Sequence, residues 1–103
     1  MVILGAGESG VGSAILGKKE DYSIFVSDFG AIKEKYKNVL SEHGIEFEEK
    51  THSEEKILQA DLVVKSPGIP ENATLVKKLR EIGTPVISEI EFAGKYKIGR
   101  AHV

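Results

Sequence analysis

Residues 1–10 read Met-Val-Ile-Leu-Gly-Ala-Gly-Glu-Ser-Gly, so Gly5, Gly7 and Gly10 form a Gly-x-Gly-x-x-Gly pattern directly after a short apolar run. An apolar run that breaks into such a pattern predicts a strand, a tight turn and the start of a helix. Gly5 lets the chain turn sharply, Gly7 lets bare backbone approach a diphosphate, and Gly10 lets the helix pack close to the sheet. The anion would rest on the helix end, where unpaired N–H groups and the helix dipole favour negative charge. With 11 glycines in 103 residues the pattern can arise by chance, so its surroundings decide its meaning.

The first of those surroundings is Ser23-Ile24-Phe25-Val26-Ser27-Asp28, a β-rich run that closes on an acid 18 residues after Gly10. A carboxylate at about that distance, ending the second strand, is the usual receiver of a ribose or base donor. The competing role for Asp28 is a helix cap or turn residue ahead of the segment from Ala31 to His43.

Further along, β-branched runs alternate with segments of helical period, the pattern of a parallel sheet covered by helices. Strands are predicted at Val2–Leu4, Ser23–Ser27, Glu46–Glu48, Leu62–Lys65 and Pro85–Ser88, the third being unusually charged. Helices are predicted at Val11–Lys18, Ala31–His43, Ser53–Leu58 and Ala73–Ile82, with Gly44 and Gly83 as stops and Ser88 and Glu91 as a capping box for a last helical turn through Tyr96. The expected fold is α/β: a Rossmann-like three-layer domain whose five-stranded parallel sheet, in the order 3-2-1-4-5, is flanked by helices. Its ligand crevice should lie outside the strand ends where strands 1 and 4 diverge.

That crevice gives weight to Lys65-Ser66-Pro67-Gly68-Ile69-Pro70, which follows strand 4 and must face the glycine turn. The prolines stiffen the loop, Gly68 permits close approach, and Ser66 offers a hydroxyl and an N–H to a phosphate or sugar. Taken alone, the segment reads as an ordinary turn before a helix capped by Asn72. Lys65 has two readings, toward a phosphate or away from the site.

Length and composition narrow the classes. A chain of 103 residues suits one domain, and 14 basic against 16 acidic residues, without a basic stripe, recommend neither nucleic acid nor a membrane as partner. There is no cysteine, hence no disulfide or thiolate metal site, and the apolar runs are too short for a signal peptide or membrane span. A cytoplasmic, soluble monomer is the expectation. His43, His52 and His102 lack metal-ligand spacing and are expected at the surface, and no metal site is expected. The mixed-charge stretches Glu20-Asp21, Glu46 to Lys50 and Glu54-Glu55-Lys56 read as solvated faces.

Taken together, Gly5-Ala-Gly-Glu-Ser-Gly10, Asp28, Val63-Val-Lys-Ser-Pro-Gly-Ile-Pro70 and Pro85-Val-Ile-Ser-Glu-Ile-Glu-Phe92 resemble the N-terminal domain of the MurD family, the D-glutamate-adding branch of the Mur ligases of peptidoglycan synthesis. The resemblance covers about residues 2 to 96, and its Ser-Pro-Gly-Ile and Ser-Glu-Ile-Glu stretches are more specific than the glycines. The first domain of the muramate–alanine ligases is similar but less close at Glu8-Ser9-Gly10 and Ser66 to Ile69.

The resemblance implies a domain that binds the uridine diphosphate part of UDP-N-acetylmuramoyl-L-alanine. ATP and Mg would belong to a central P-loop domain and D-glutamate largely to a third. By position, Gly7, Glu8, Ser9 and Gly10 would cradle the diphosphate, Asp28 with Phe29 would border the uracil, and Ser66, Pro67 and Gly68 would close the other side. Family members often carry polar or basic residues after the aspartate, where this chain has Phe29 and Gly30. No Gly-x-x-Gly-Lys-Thr-like loop occurs, so the chain by itself is expected to hold no cofactor, to have no catalytic residue and not to turn over. Residues 1–96 would be the substrate domain, residues 97–103 a linker or tail, and the central and C-terminal ligase domains its partners.

Two other classes stay open. Gly5, Gly7, Gly10 and Asp28 also satisfy the fingerprint of an NAD(P)-binding module of an oxidoreductase or regulatory protein, against which the Ser-Pro-Gly-Ile loop speaks. A non-catalytic assembly domain that keeps the fold without a ligand is the other.

Overall fold

The computed structural model describes residues 1–101, with side chains through Lys95. Five strands, β1 (Val2–Leu4), β2 (Phe25–Asp28), β3 (Glu46–Glu49), β4 (Val63–Lys65) and β5 (Val86–Ser88), alternate with five helices, α1 (Glu8–Lys19), α2 (Glu34–Glu42), α3 (Glu54–Leu58), α4 (Thr74–Glu81) and α5 (Glu89–Ala101). The strands form one parallel sheet in the order β3-β2-β1-β4-β5, as expected from the sequence. Ile3 is paired with Val26 on one side and Val64 on the other, and Leu4 with Ser27 and Lys65, so the carboxyl ends of the three central strands finish level. Every loop that follows a strand therefore opens on the same rim.

Alternation along the strands divides the apolar side chains between two layers. Ile3, Val26 and Val64 face a cluster completed by Ala14, Leu40 and Phe92 from α1, α2 and α5, while Val2, Leu4 and Val63 face Ile57 and Leu79 from α3 and α4. The chain thus covers one face with α1 and α2, crosses to the other for α3 and α4, and returns with α5 beside α1. Phe92, fully buried, anchors that return against Tyr22, edge-to-face at 5.7 Å.

Several element ends differ from those expected, each for a local reason. Helix α1 starts at Glu8 rather than Val11, because Gly7 is extended (φ −80°, ψ −169°) and serves as the N-cap, so Gly5 lies in the turn, Gly7 at the helix start and Gly10 inside the helix. Helix α2 starts at Glu34 rather than Ala31, because the Ile32 N–H donates to Glu49 of β3 at 2.9 Å and Ile32 is buried. Asn72 does not cap α4, whose N-cap is Ala73 with no side-chain cap hydrogen bond. Gly44 and Gly83 do end their helices with positive φ. The Ser88–Glu91 capping box forms in both directions, at 3.0 and 3.2 Å, and starts α5, which runs through residue 96 to Ala101. His102 lies outside the described residues.

The charged strand β3 occupies the sheet edge, where water can reach it. Its acids nevertheless hold specific partners rather than forming a solvated face. Glu48 accepts hydrogen bonds from the Ser27 hydroxyl (2.7 Å), the Ser53 N–H (2.7 Å) and the Ser53 hydroxyl, and Glu49 pairs with Lys37 at 2.7 Å.

Candidate functional site

The crevice starts at the β1–α1 turn. Gly5 has φ +102°, a conformation that disfavours any side chain, and a Cβ there would stand 2.8 Å from the Ser66 Cβ. A Cβ at Gly10 would stand 1.9 Å from the Gly5 carbonyl oxygen, so Gly10 is what lets α1 close onto the turn. A Cβ at Gly7 would meet nothing within 4 Å. Two of the three glycines are consumed by the fold, and the third faces open space. The first described bond of α1 runs from Val11 N–H to the Gly7 carbonyl, at 2.9 Å, so the N–H groups of Glu8, Ser9 and Gly10 have no partner within the helix and point out of its end.

Asp28, at the end of β2, ties the first two loops together. Its Oδ2 accepts the Ala6 N–H and its Oδ1 the Gly30 N–H, each at 2.8 Å. The opposite wall braces itself: Lys65 Nζ donates to the Ile69 carbonyl at 2.6 Å, the Ile69 N–H to the Ser66 carbonyl at 3.0 Å, and the Ser66 N–H to the Leu4 carbonyl at 3.0 Å. Lys65 thus points into its own loop rather than toward a phosphate.

Gly7, Asp28, Phe29, Ser66 and Gly68 line one cavity of about 230 Å³ together with His52. Ser9 and Pro67 instead border a separate one of about 110 Å³ with Ser88, Glu89 and Ile90. Glu8 is exposed beside the crevice, so only its backbone suits an anion, and Gly10 is buried under the turn. Phe29 is 73 % exposed, and its ring is tilted 51° to that of His52 with the centroids 5.6 Å apart.

His52 departs from the expectation of a plain surface residue: it is half-buried in the crevice wall, whereas His43 is exposed and bonded to the Val39 carbonyl. The Ser27 hydroxyl, completely buried, lies 2.6 Å from His52 Nδ1 and 2.7 Å from Glu48. A hydroxyl has one proton, and a carboxylate can only accept. Ser27 therefore donates to Glu48 and accepts from Nδ1–H, leaving Nε2 of the neutral ring as an acceptor. Burial lowers the His52 pKa, against the raising effects of Glu48, Asp28 and Glu54, and so favours the neutral form. Glu48 is also moved, since burial tends to raise its pKa but is outweighed by the hydrogen bonds from Ser53 and Ser27 and by His52, and the net shift is down.

A second residue outside the sequence expectation is Glu89, 6 % exposed at the start of α5. Both residues follow strands, β3 and β5, whose carboxyl ends share the rim, and the strand order was the available signal. Among the described residues, no group of three or more His, Cys, Asp or Glu is placed to hold a metal, and no helix is long and apolar enough to cross a membrane.

The architecture defines the class: a Rossmann-like α/β domain with a glycine-turn crevice at the switch point of its sheet. The same fold occurs in the UDP-N-acetylmuramate-alanine ligase MurC of Thermotoga maritima (TM-score 0.77, 18% identity, over 96% of this chain and 22% of that one). It also occurs in a murein peptide ligase of Psychrobacter arcticus (TM-score 0.80, 22% identity, over 91% of this chain and 20% of that one). In sequence the chain is 62% identical to a UDP-N-acetylmuramoylalanine–D-glutamate ligase of Bacteroides fragilis, over 93% of its own length. The family model described as the MurD N-terminal domain matches residues 1–75, and the chain belongs to that family. It spans 22% of the length of the Bacteroides relative. Family membership decides between the readings left open by the glycine fingerprint, in favour of the Mur ligases and against the oxidoreductase.

Proposed function

We propose that this chain is the part of a D-glutamate-adding ligase of peptidoglycan synthesis that holds the uridine diphosphate end of UDP-N-acetylmuramoyl-L-alanine. The observation that carries the reading is the open space at Gly7 beneath the unpaired N–H groups of α1, in a crevice where Gly5 and Gly10 are closed by the fold. The diphosphate would lie on Gly7, Glu8, Ser9 and Gly10, held by backbone N–H groups and the helix dipole. The base would lie against Phe29, with the Asp28 carboxylate and His52 Nε2 as acceptors for the uracil N–H, and Ser66, Pro67 and Gly68 would form the facing wall.

ATP, Mg and the amide-forming step would belong to further domains of the ligase, and this chain would supply substrate placement without a cofactor or catalytic residue of its own. Such a role suits a cytoplasmic monomer. The test is an amide chemical-shift titration with UDP, UDP-N-acetylmuramoyl-L-alanine and NAD in parallel. Saturable shifts for the uridine ligands at Gly7 to Gly10, Asp28, His52 and Ser66 to Gly68, with little from NAD, are expected. Shifts with NAD alone would return the chain to the dinucleotide class, and no response to any ligand would favour an assembly domain.

A further inference from the structure

Glu89 opens α5 with its carboxylate turned inward. The residue is 6 % exposed, and neither carboxylate oxygen reaches solvent or completes a well-formed hydrogen bond, although the Ser9 and Ser66 hydroxyls stand close enough to lower its pKa. None of the described ion pairs involves it. It borders two cavities, one shared with Ser9, Gly12 and Ser13 of α1 and the other with Ser9, Pro67 and Ser88. Of the charged side chains on the turns beside it, Glu91 caps the Ser88 N–H, Lys65 holds the Ile69 carbonyl, and Glu8 is exposed. What faces Glu89 is a pair of hydroxyls, Ser9 from the first turn of α1 and Ser66 from the end of β4. These belong to the two walls of the crevice.

An ionised carboxylate buried without a partner is among the most costly arrangements in a protein, and the group relieves it by taking a proton. As an acid it has one O–H to donate and oxygen lone pairs to accept, which matches two hydroxyls, one receiving and one giving. We propose that Glu89 is a positioning residue that acts as a neutral carboxylic acid, joining Ser9 and Ser66 across the crevice, and that an anion entering the crevice holds the proton on it more firmly. Burial raises the Glu89 pKa, partly offset by the Ser9 and Ser66 hydroxyls, in the direction this role requires. The coupling half of the proposal rests on the reading of the crevice as a diphosphate site; the neutral acid does not.

The test follows the Glu89 side-chain carboxyl carbon by NMR across pH in the 103-residue chain, free and with UDP-N-acetylmuramoyl-L-alanine, whose doubly esterified diphosphate does not titrate in this range. The signal reads Glu89 directly, apart from His52. The expected result is a midpoint above the ordinary glutamate value of 4.5 in the free chain and higher still with ligand. Between the two midpoints ligand affinity should fall by up to about tenfold per pH unit. Glu89→Gln, which keeps a donor and an acceptor in the same shape without charge, should bind as the wild type does at low pH and lose that part of the pH dependence. An ordinary midpoint in the free chain, or loss of ligand binding in Glu89→Gln, overturns the proposal. A raised midpoint with no ligand response at any residue sinks the substrate reading and the coupling, and leaves the neutral acid standing.

Discussion

Three glycines that look equivalent in sequence separate into two jobs. Gly10→Ala drives a methyl group into the Gly5 carbonyl and should cost about 3 kcal/mol or more of stability in urea unfolding. Gly7→Ala meets no atom and should cost no more than about 1 kcal/mol, through a poorer helix cap, while weakening uridine ligands on the order of tenfold. Unchanged affinity would place the phosphate elsewhere. Asp28 ends β2 in the crevice wall, and its oxygens already hold two backbone N–H groups, one in its own turn and one in the β1–α1 loop. Asp28→Asn turns one of those oxygens into a donor facing a donor, and about 1–3 kcal/mol should be lost in thermal unfolding before any ligand is added. The residue pattern revealed Asp28 but not this second task, since hydrogen bonds between loops 22 residues apart have no local signature.

Element type and strand order were legible because β-branched runs and 3.6-residue periods are local, and parallel crossovers have one hand. The ends of α1 and α2 were less so, set by contacts with β1 and β3 that no window of sequence contains. The charged strand β3 shows the same limit: its acids look like a solvated face, yet Glu48 latches β2 and the β3–α3 loop through Ser27 and Ser53. The latch makes this edge sensitive to acid. Glu48 has its pKa lowered by those hydrogen bonds despite burial, and Glu49 by Lys37 and the Ile32 N–H. Groups with folded pKa values below their unfolded ones give stability that is present above the unfolded value, 4.5 for both, and is lost as pH falls through the folded values. His52, depressed by burial from 6.5, adds to the loss below that pH. The protection of the Phe47 to Glu49 amides against exchange, taken relative to their intrinsic rates at each pH, should therefore fall on acidification before protection in β1 and β4 does. Simultaneous loss in all three strands would show that the latch plays no separate part.

At the scale of the whole molecule, the return of α5 to the α1 face closes the fold and brings the Glu89 carboxylate under the rim. Among the described side chains of α5, Phe92 is the fully buried apolar one. Phe92→Ala should remove about 3–5 kcal/mol, a large share of the roughly 5–15 kcal/mol that holds a domain of this size together. A urea midpoint close to that of the wild type would mean that α5 is held by other contacts. Glu89 itself sets an opposite trend to β3. Its raised pKa means that the folded chain binds the extra proton, so its share of stability is full below the unfolded value of 4.5 and is lost as pH rises through the folded one. Glu89→Gln should thus be more stable than the wild type in alkaline solution. The Asp28 clamp and the self-braced Ser66–Ile69 loop have a further consequence, in time rather than in free energy. Both walls are braced by hydrogen bonds within the chain itself, so no loop should have to order itself on the way in. Ligand capture should then proceed in a single concentration-dependent phase, with encounter and desolvation setting its speed and selectivity residing in how long the visitor stays.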